Sequence, residues 1–275
     1  MPLEEITLPD GTTRRLGNLT PPDGYVRMSL PTLGSTTTAR LVPRSEWDGL
    51  LANYSPGSGD PFLPPVHDQK DVGQCNASTT TATLEYLRAR QGLKHTPLSA
   101  ADLYHRINWG RDQGSLLEDA LRETLNNGVG TVATSGYLWK TGHFKGPASA
   151  SERGQYRLLE AYTCPTFDHL MSAVFQGFAI NTGIMWYDNY TPGTDNWLPR
   201  PGGRAGGHSI FGYKPTKRGG EYGIWHMNSW GVNWPRPGAG GLFVIPESAY
   251  KGPVGGWFAV RSVVDEGGVI PPETN

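Results

Sequence analysis

Cys75, His208 and Asn228 are the residues of this chain whose types and spacing suit acyl transfer. Cys75 follows Gln69-Lys70-Asp71-Val72-Gly73-Gln74 and precedes the small, helix-compatible run Asn76-Ala77-Ser78-Thr79. A thiol behind a glycine turn, at the first turn of a helix, meets unpaired backbone N–H groups and the positive end of the helix dipole, and both stabilise a thiolate. Gly206-Gly207-His208-Ser209 and Met227-Asn228-Ser229-Trp230-Gly231 then offer a base and a group to orient it. In that chemistry the thiolate attacks a carbonyl, His208 gives its proton to the leaving amine, and His208 next activates the water that hydrolyses the thioester. Asn228 holds the imidazole in the useful tautomer through its side-chain carbonyl, without the charge that an Asp would add. His226 is a rival base, two residues before Asn228 and on its strand face if that strand is regular. His67, His95, His105, His143 and His169 have no comparable partners and read as surface or structural, and Cys164 beside Pro165 reads as a non-catalytic thiol.

Taken together, the three motifs resemble the papain-family (C1-type) cysteine peptidases. In that family the His and Asn follow the nucleophile by roughly 130–150 residues; here the intervals are 208 − 75 = 133 and 228 − 75 = 153. The likeness runs from about Pro64 to Ser262 and is most specific at Asn228-Ser229-Trp230-Gly231, followed by Trp234 and the strand-like Gly241-Leu242-Phe243-Val244-Ile245. It implies an α+β, two-lobed fold, with a helical lobe carrying the Cys and an antiparallel β lobe carrying His and Asn. It also implies a polypeptide substrate, no cofactor and no metal. By resemblance Gln69 supplies an oxyanion-hole N–H beside the backbone N–H of Cys75, a donor worth roughly 3–4 kcal/mol in comparable sites. Gly73 belongs to the turn beneath the thiol, Gly207 offers its carbonyl to the substrate backbone, Gly114 and Ser115 lie on the non-primed side, and Trp230 shields the His208–Asn228 bond at the edge of the groove. The Gly-Gly-His-Ser-Ile setting of His208 matches the family pattern before a strand, which favours His208 over His226. Two positions depart: Val72 stands where a second cysteine is usual, removing a structural disulfide, and Asn76 replaces the usual aromatic, changing a wall of the groove.

The elements that must position these groups can be read from punctuation. Ala77, Ala82, Leu84 and Leu87 recur with roughly helical spacing behind Cys75, and Gly92 supplies a stop. Ser99 caps a second helix, with Asp102 in its first turn; a third runs from Leu116 to Leu125 and ends at Asn126-Asn127-Gly128. After one more helix at Phe167 to Phe175, short β-branched or aromatic runs at 179–184, 209–213, 222–227 and 242–245 are separated by Gly and Pro. They predict an antiparallel sheet or barrel. Residues 1–60, rich in Thr, Pro and Gly, read as an N-terminal arm or a pro-region, and 61–275 as the peptidase domain.

Composition sets the outer bounds. A chain of 275 residues with 37% hydrophobic content buries a substantial core, and 37 Gly with 23 Pro favour short elements and many loops. The net charge of −1, without a run of Lys or Arg among aromatics, excludes a nucleic-acid footprint. There is no Cys-x-x-Cys, no His-Glu-x-x-His and no phosphate-cradling glycine loop. Pairing the only two cysteines would consume the nucleophile, which favours a reducing interior. No secretory signal and no membrane span is readable, so a cytoplasmic or virion-associated location is expected. The sequence thus predicts a thiol endopeptidase acting through Cys75, His208, Asn228 and Gln69. Its rivals are a papain-like cell-wall peptide hydrolase or amidase and a non-catalytic structural or assembly protein that keeps the fold.

Overall fold

The first sixty residues are of two kinds. Strands β1 (Glu4–Thr7) and β2 (Thr13–Leu16) pair into an antiparallel hairpin, closed at its turn by the N–H of Leu8 donating to the Thr12 carbonyl at 2.8 Å. Residues 17–28 then cross the body of the protein without regular structure of their own. From Leu33 onward the chain is core: Leu33, Ala39, Val42 and Trp47 are buried in one apolar cluster, and Trp47 lies on helix α1 (Arg44–Leu51). The structure is a computed structural model that describes residues 3–55, 57–203 and 206–263; residues 264–275, with which the expected 61–275 domain ends, lie outside the described residues.

Helix α2 (Cys75–Arg90) runs through the centre, and every residue from Cys75 to Arg88 is buried. Its sequence has no apolar stripe, because it is enclosed all round rather than laid on a core. The threonines fit there by returning their hydroxyls to the backbone: Thr80, Thr81 and Thr83 donate to the carbonyls of Asn76, Ala77 and Thr79 at 2.9, 2.8 and 2.9 Å. Against it pack α3 (Ala100–Ile107) and α4 (Leu117–Asn126). Ser99 caps α3 by accepting the N–H of Asp102 at 3.0 Å. Two single turns, α5 (Val132–Ser135) and α6 (Ala150–Arg153), complete this helical side.

The second half forms a sheet. Strands β3 (Ala161–Thr163), β4 (Ala179–Trp186), β5 (Gly206–Arg218), β6 (Glu221–Met227), β7 (Leu242–Pro246) and β8 (Trp257–Val260) lie in the order β3-β8-β4-β5-β6-β7, and their pairs are antiparallel. The sheet is open, with β3 and β7 at its edges among the described residues. Helix α7 (Phe167–Phe175) covers it beside α1, where Trp47 packs edge-on against Phe167 and Tyr222. Register sets the functional residues: His208 on β5 stands opposite Ile184 on β4, and Asn228 directly follows β6, whose Met227 stands opposite Phe211 of β5. No helix among the described residues is long and apolar enough to cross a membrane.

Candidate active site

Cys75 opens α2 and is fully buried. Burial pushes its thiol up to about 11, against the backbone N–H groups of Ser209, Gly17, Asn76 and Cys75 itself, which pull it down. The sulfur therefore lies against the residue that follows His208, so the helical and sheet sides meet at this point. His208 donates from Nε2 to Asn228 Oδ1 at 2.8 Å. The backbone N–H of Ser229 also donates to that oxygen at 2.8 Å, which fixes the orientation of the amide. With Nε2 carrying the hydrogen, Nδ1 of the neutral imidazole is the nitrogen free to take a proton, and Nδ1 makes no hydrogen bond in this state. Trp230 stacks on the imidazole at 4.8 Å and Trp186 meets it edge-on at 5.2 Å, so both rings keep water from the His208–Asn228 bond. Burial drives the His208 pKa down to about 4, with the Asn228 bond opposing.

Gln69 is fully buried and held at both ends of its carboxamide. Ser229 Oγ donates to Oε1 at 2.6 Å, and Nε2 donates to the carbonyls of Val72 at 2.9 Å and Arg15 at 3.0 Å. Its N–H₂ thus already meets a peptide carbonyl close to the thiol, as an oxyanion donor must. That carbonyl belongs to the chain itself. Residues 15–19 occupy the groove as a strap: Gly17 accepts the N–H of Ser115 at 2.9 Å, Leu19 donates to the Ser115 carbonyl at 2.9 Å, and Asn18 donates to the Gly207 carbonyl at 3.1 Å. Gly17 itself is obligatory here, since a Cβ would run into the carbonyl of Gly73. Flanking ion pairs hold the strap down, Arg15 to Asp112 at 2.9 Å and Arg27 to Glu118 at 2.9 Å. Asp112 also accepts from the Gly73 N–H at 2.9 Å, tying the glycine turn beneath the thiol to the strap.

The structure bonds His208 to Asn228 under Trp230, ties Gln69 to Ser229, and sets the Cys75 sulfur against the N–H of Ser209, while residues 17–19 bond to Ser115 and Gly207. Gly114 lies beside them, with φ of +77° and its N–H bonded to Tyr104 Oη at 3.0 Å. Asn76 is fully buried and donates to the Ser115 carbonyl at 2.8 Å, the same oxygen that accepts the Leu19 N–H of the strap at 2.9 Å. His226, the rival base, turns away to Tyr250 Oη at 3.3 Å and the Ile224 carbonyl at 2.9 Å, and burial lowers its pKa to about 3. His67 is buried against Glu85, 3.4 Å away. Cys164 is a buried thiol whose pKa burial raises. Sequence reasoning missed Ser229 as the anchor of Gln69, Trp186 as a second cover for the imidazole, and Asn18 in the groove. Only Ser229 had a signal, its place inside the Asn228-Ser229-Trp230-Gly231 motif.

No family model matches the chain, and no curated protein does. Solved structures do. Xylellain, a cysteine protease from Xylella fastidiosa, superposes with a TM-score of 0.66 over 90% of this chain and 96% of its own, at 16% identity. Procathepsin B from Trypanosoma congolense gives 0.62 over 90% and 86% of the two chains at 17% identity. The bromelain protease from Ananas comosus gives 0.53 over 73% and 94% at 20% identity. The chain has the α+β fold of the papain-like cysteine proteases, as its three motifs implied.

Proposed function

We propose that this protein is a thiol endopeptidase in a closed resting form, with Cys75 as nucleophile, His208 as base and acid, Asn228 as its orienting partner and Gln69 as oxyanion donor. The observation that carries the reading is the polypeptide backbone in the groove, bonded to Gln69, Ser115 and Gly207 over the thiol. A groove that holds an extended peptide by its main chain, above a cysteine that lies against the residue following a histidine, suits peptide-bond hydrolysis. In the resting form the Gly17 N–H lies against the sulfur, so the strap covers the thiol. The inhibitory segment is residues 4–28, and the chain from Leu33 to Leu51 stays with the body as part of its core.

Once the strap leaves, water and substrate enter, burial no longer holds both groups neutral, and the thiol proton passes to His208. Attack forms the C–S bond, the tetrahedral oxyanion takes the place of the Arg15 carbonyl at Gln69, and the imidazolium protonates the leaving amine. The test is incubation with a denatured protein substrate and an epoxide electrophile, read by intact mass. Peptide cleavage and one adduct on Cys75 are expected from a strap-released chain, and neither from Cys75→Ala. Absence of both from a chain whose strap is demonstrably displaced defeats the reading.

A further inference from the structure

Asn18 occupies a pocket whose walls are backbone. Its side-chain Nδ2 donates to the carbonyl of Val254 at 2.7 Å and, at the longer distance of 3.4 Å, to that of His208. The residue is only 3% exposed. Three glycines close the pocket around it: a Cβ at Gly183 would stand 2.7 Å from Asn18 Nδ2 and one at Gly255 2.7 Å from Oδ1, both inside the 3.0 Å that real Cβ atoms essentially never breach. A Cβ at Gly207 would strike the Asn18 main-chain carbonyl. Carbonyl oxygens and missing side chains do not change with rotamer, so the shape and polarity persist after the present occupant leaves. Asn18 Oδ1 makes no hydrogen bond, which leaves the N–H₂ as the half that is recognised.

We infer that this pocket, beside His208, selects a small carboxamide side chain, asparagine foremost, in the polypeptide the groove accepts, and that Asn18 holds the strap by imitating it. That this polypeptide is a substrate rests on the peptidase reading; the preference of the pocket does not. Aspartate has the same shape but turns lone pairs and charge on two carbonyl oxygens. Leucine fills a similar volume yet leaves those carbonyls buried and unpaired. The 2.7 Å bond to Val254 leaves no length for the extra methylene of glutamine.

Two arms test it on the full chain. In a Cys75→Ala background, where no cleavage interferes, amide hydrogen exchange of residues 16–19 is compared for Asn18, Asn18→Asp and Asn18→Leu, with α2 protection as the control for folding. Strap protection is expected to fall at least 100-fold for Asp and at least 10-fold for Leu while α2 is unchanged; equal protection in all three overturns the pocket. In the Cys75 chain carrying Asn18→Asp, fluorogenic peptides scan Asn, Asp, Leu and Ala at each position on both sides of the scissile bond. At one position kcat/KM for Asn is expected to exceed that for Asp at least 100-fold. Cleavage indifferent to that residue overturns the inference and leaves the peptidase. Loss of strap protection with no peptide cleaved sinks the peptidase and leaves the pocket standing.

Discussion

Gln69 is held by contacts that arrive from far along the chain, and the oxyanion role proposed for it depends on them. Without the 2.6 Å bond from Ser229 its carboxamide is free to turn over and present oxygen where charge develops. In a strap-released chain, Gln69→Ala is expected to lower kcat by about 10²–10³ with KM little changed. Ser229→Ala, which removes one hydrogen bond and leaves the donor in place, is expected to cost about tenfold. Steady-state peptide hydrolysis reads both, and a Ser229→Ala loss as large as that of Gln69→Ala would assign Ser229 a role of its own. Gly17 supplies the opposite lever. Because its missing Cβ is what lets the strap pass Gly73, Gly17→Val inserts atoms into a space that has none to give, an overpacking cost of about 1–3 kcal/mol or roughly 5- to 150-fold in population. Alkylation of Cys75 by a small epoxide is expected to accelerate by that factor; a rate equal to wild type would mean that the strap does not guard the thiol.

Elements whose ends are chemically marked were legible in the sequence. Helix α2 starts at Cys75 and stops before Gly92, α3 carries its Ser99 cap, and α7 and strands β4 to β7 fall on the runs that predicted them. The bond between His208 and Asn228 was equally legible, because each lies in a local motif. What escaped was whatever depends on contacts across the fold. Helix α1 has no side-chain cap, and Trp47 is its one fully enclosed residue, against α7 and β6. The hairpin and strap are short, Thr- and Gly-rich, and defined by what they cover. This division between strap and core has a measurable consequence for truncation. Removing residues 1–28 takes Leu8 and Leu16 from the cluster they share with Trp186 and Trp230 but leaves Leu33, Ala39, Val42 and Trp47, so the denaturation midpoint is expected to fall less than after the longer deletion. Removing residues 1–60 strips Trp47 from its cluster, and a buried Trp alone is worth about 3–5 kcal/mol. Urea unfolding is expected to show a marginal or unfolded protein; a stable product from the longer deletion would make the whole N-terminal region a detachable arm.

For the molecule as a whole, the strap links the opening of the groove to pH. With Cys75 replaced by Ala, so that no thiol shares its proton with the imidazole, burial holds His208 neutral down to about 4 in the closed form, whereas a solvated histidine takes its proton near 6.5. The open form therefore binds more protons than the closed form between those values, and by linkage the closed form loses stability as pH falls through that window. At pH 5 the difference amounts to about 2 kcal/mol relative to neutrality, or roughly 30-fold in the ratio of open to closed chains. His226, held neutral to about 3 by burial, has the same sign but lies away from the strap, so it lowers the stability of the whole fold rather than the docking of residues 15–19. The two contributions separate by observable. In the Cys75→Ala chain, hydrogen exchange of the strap amides, corrected for intrinsic rates, is expected to rise about 30-fold from pH 7 to pH 5 while α2 stays protected, and to flatten over that range when His208→Gln is added. If strap exchange has the same pH profile with glutamine at position 208, the imidazole is not the group that couples acid to opening.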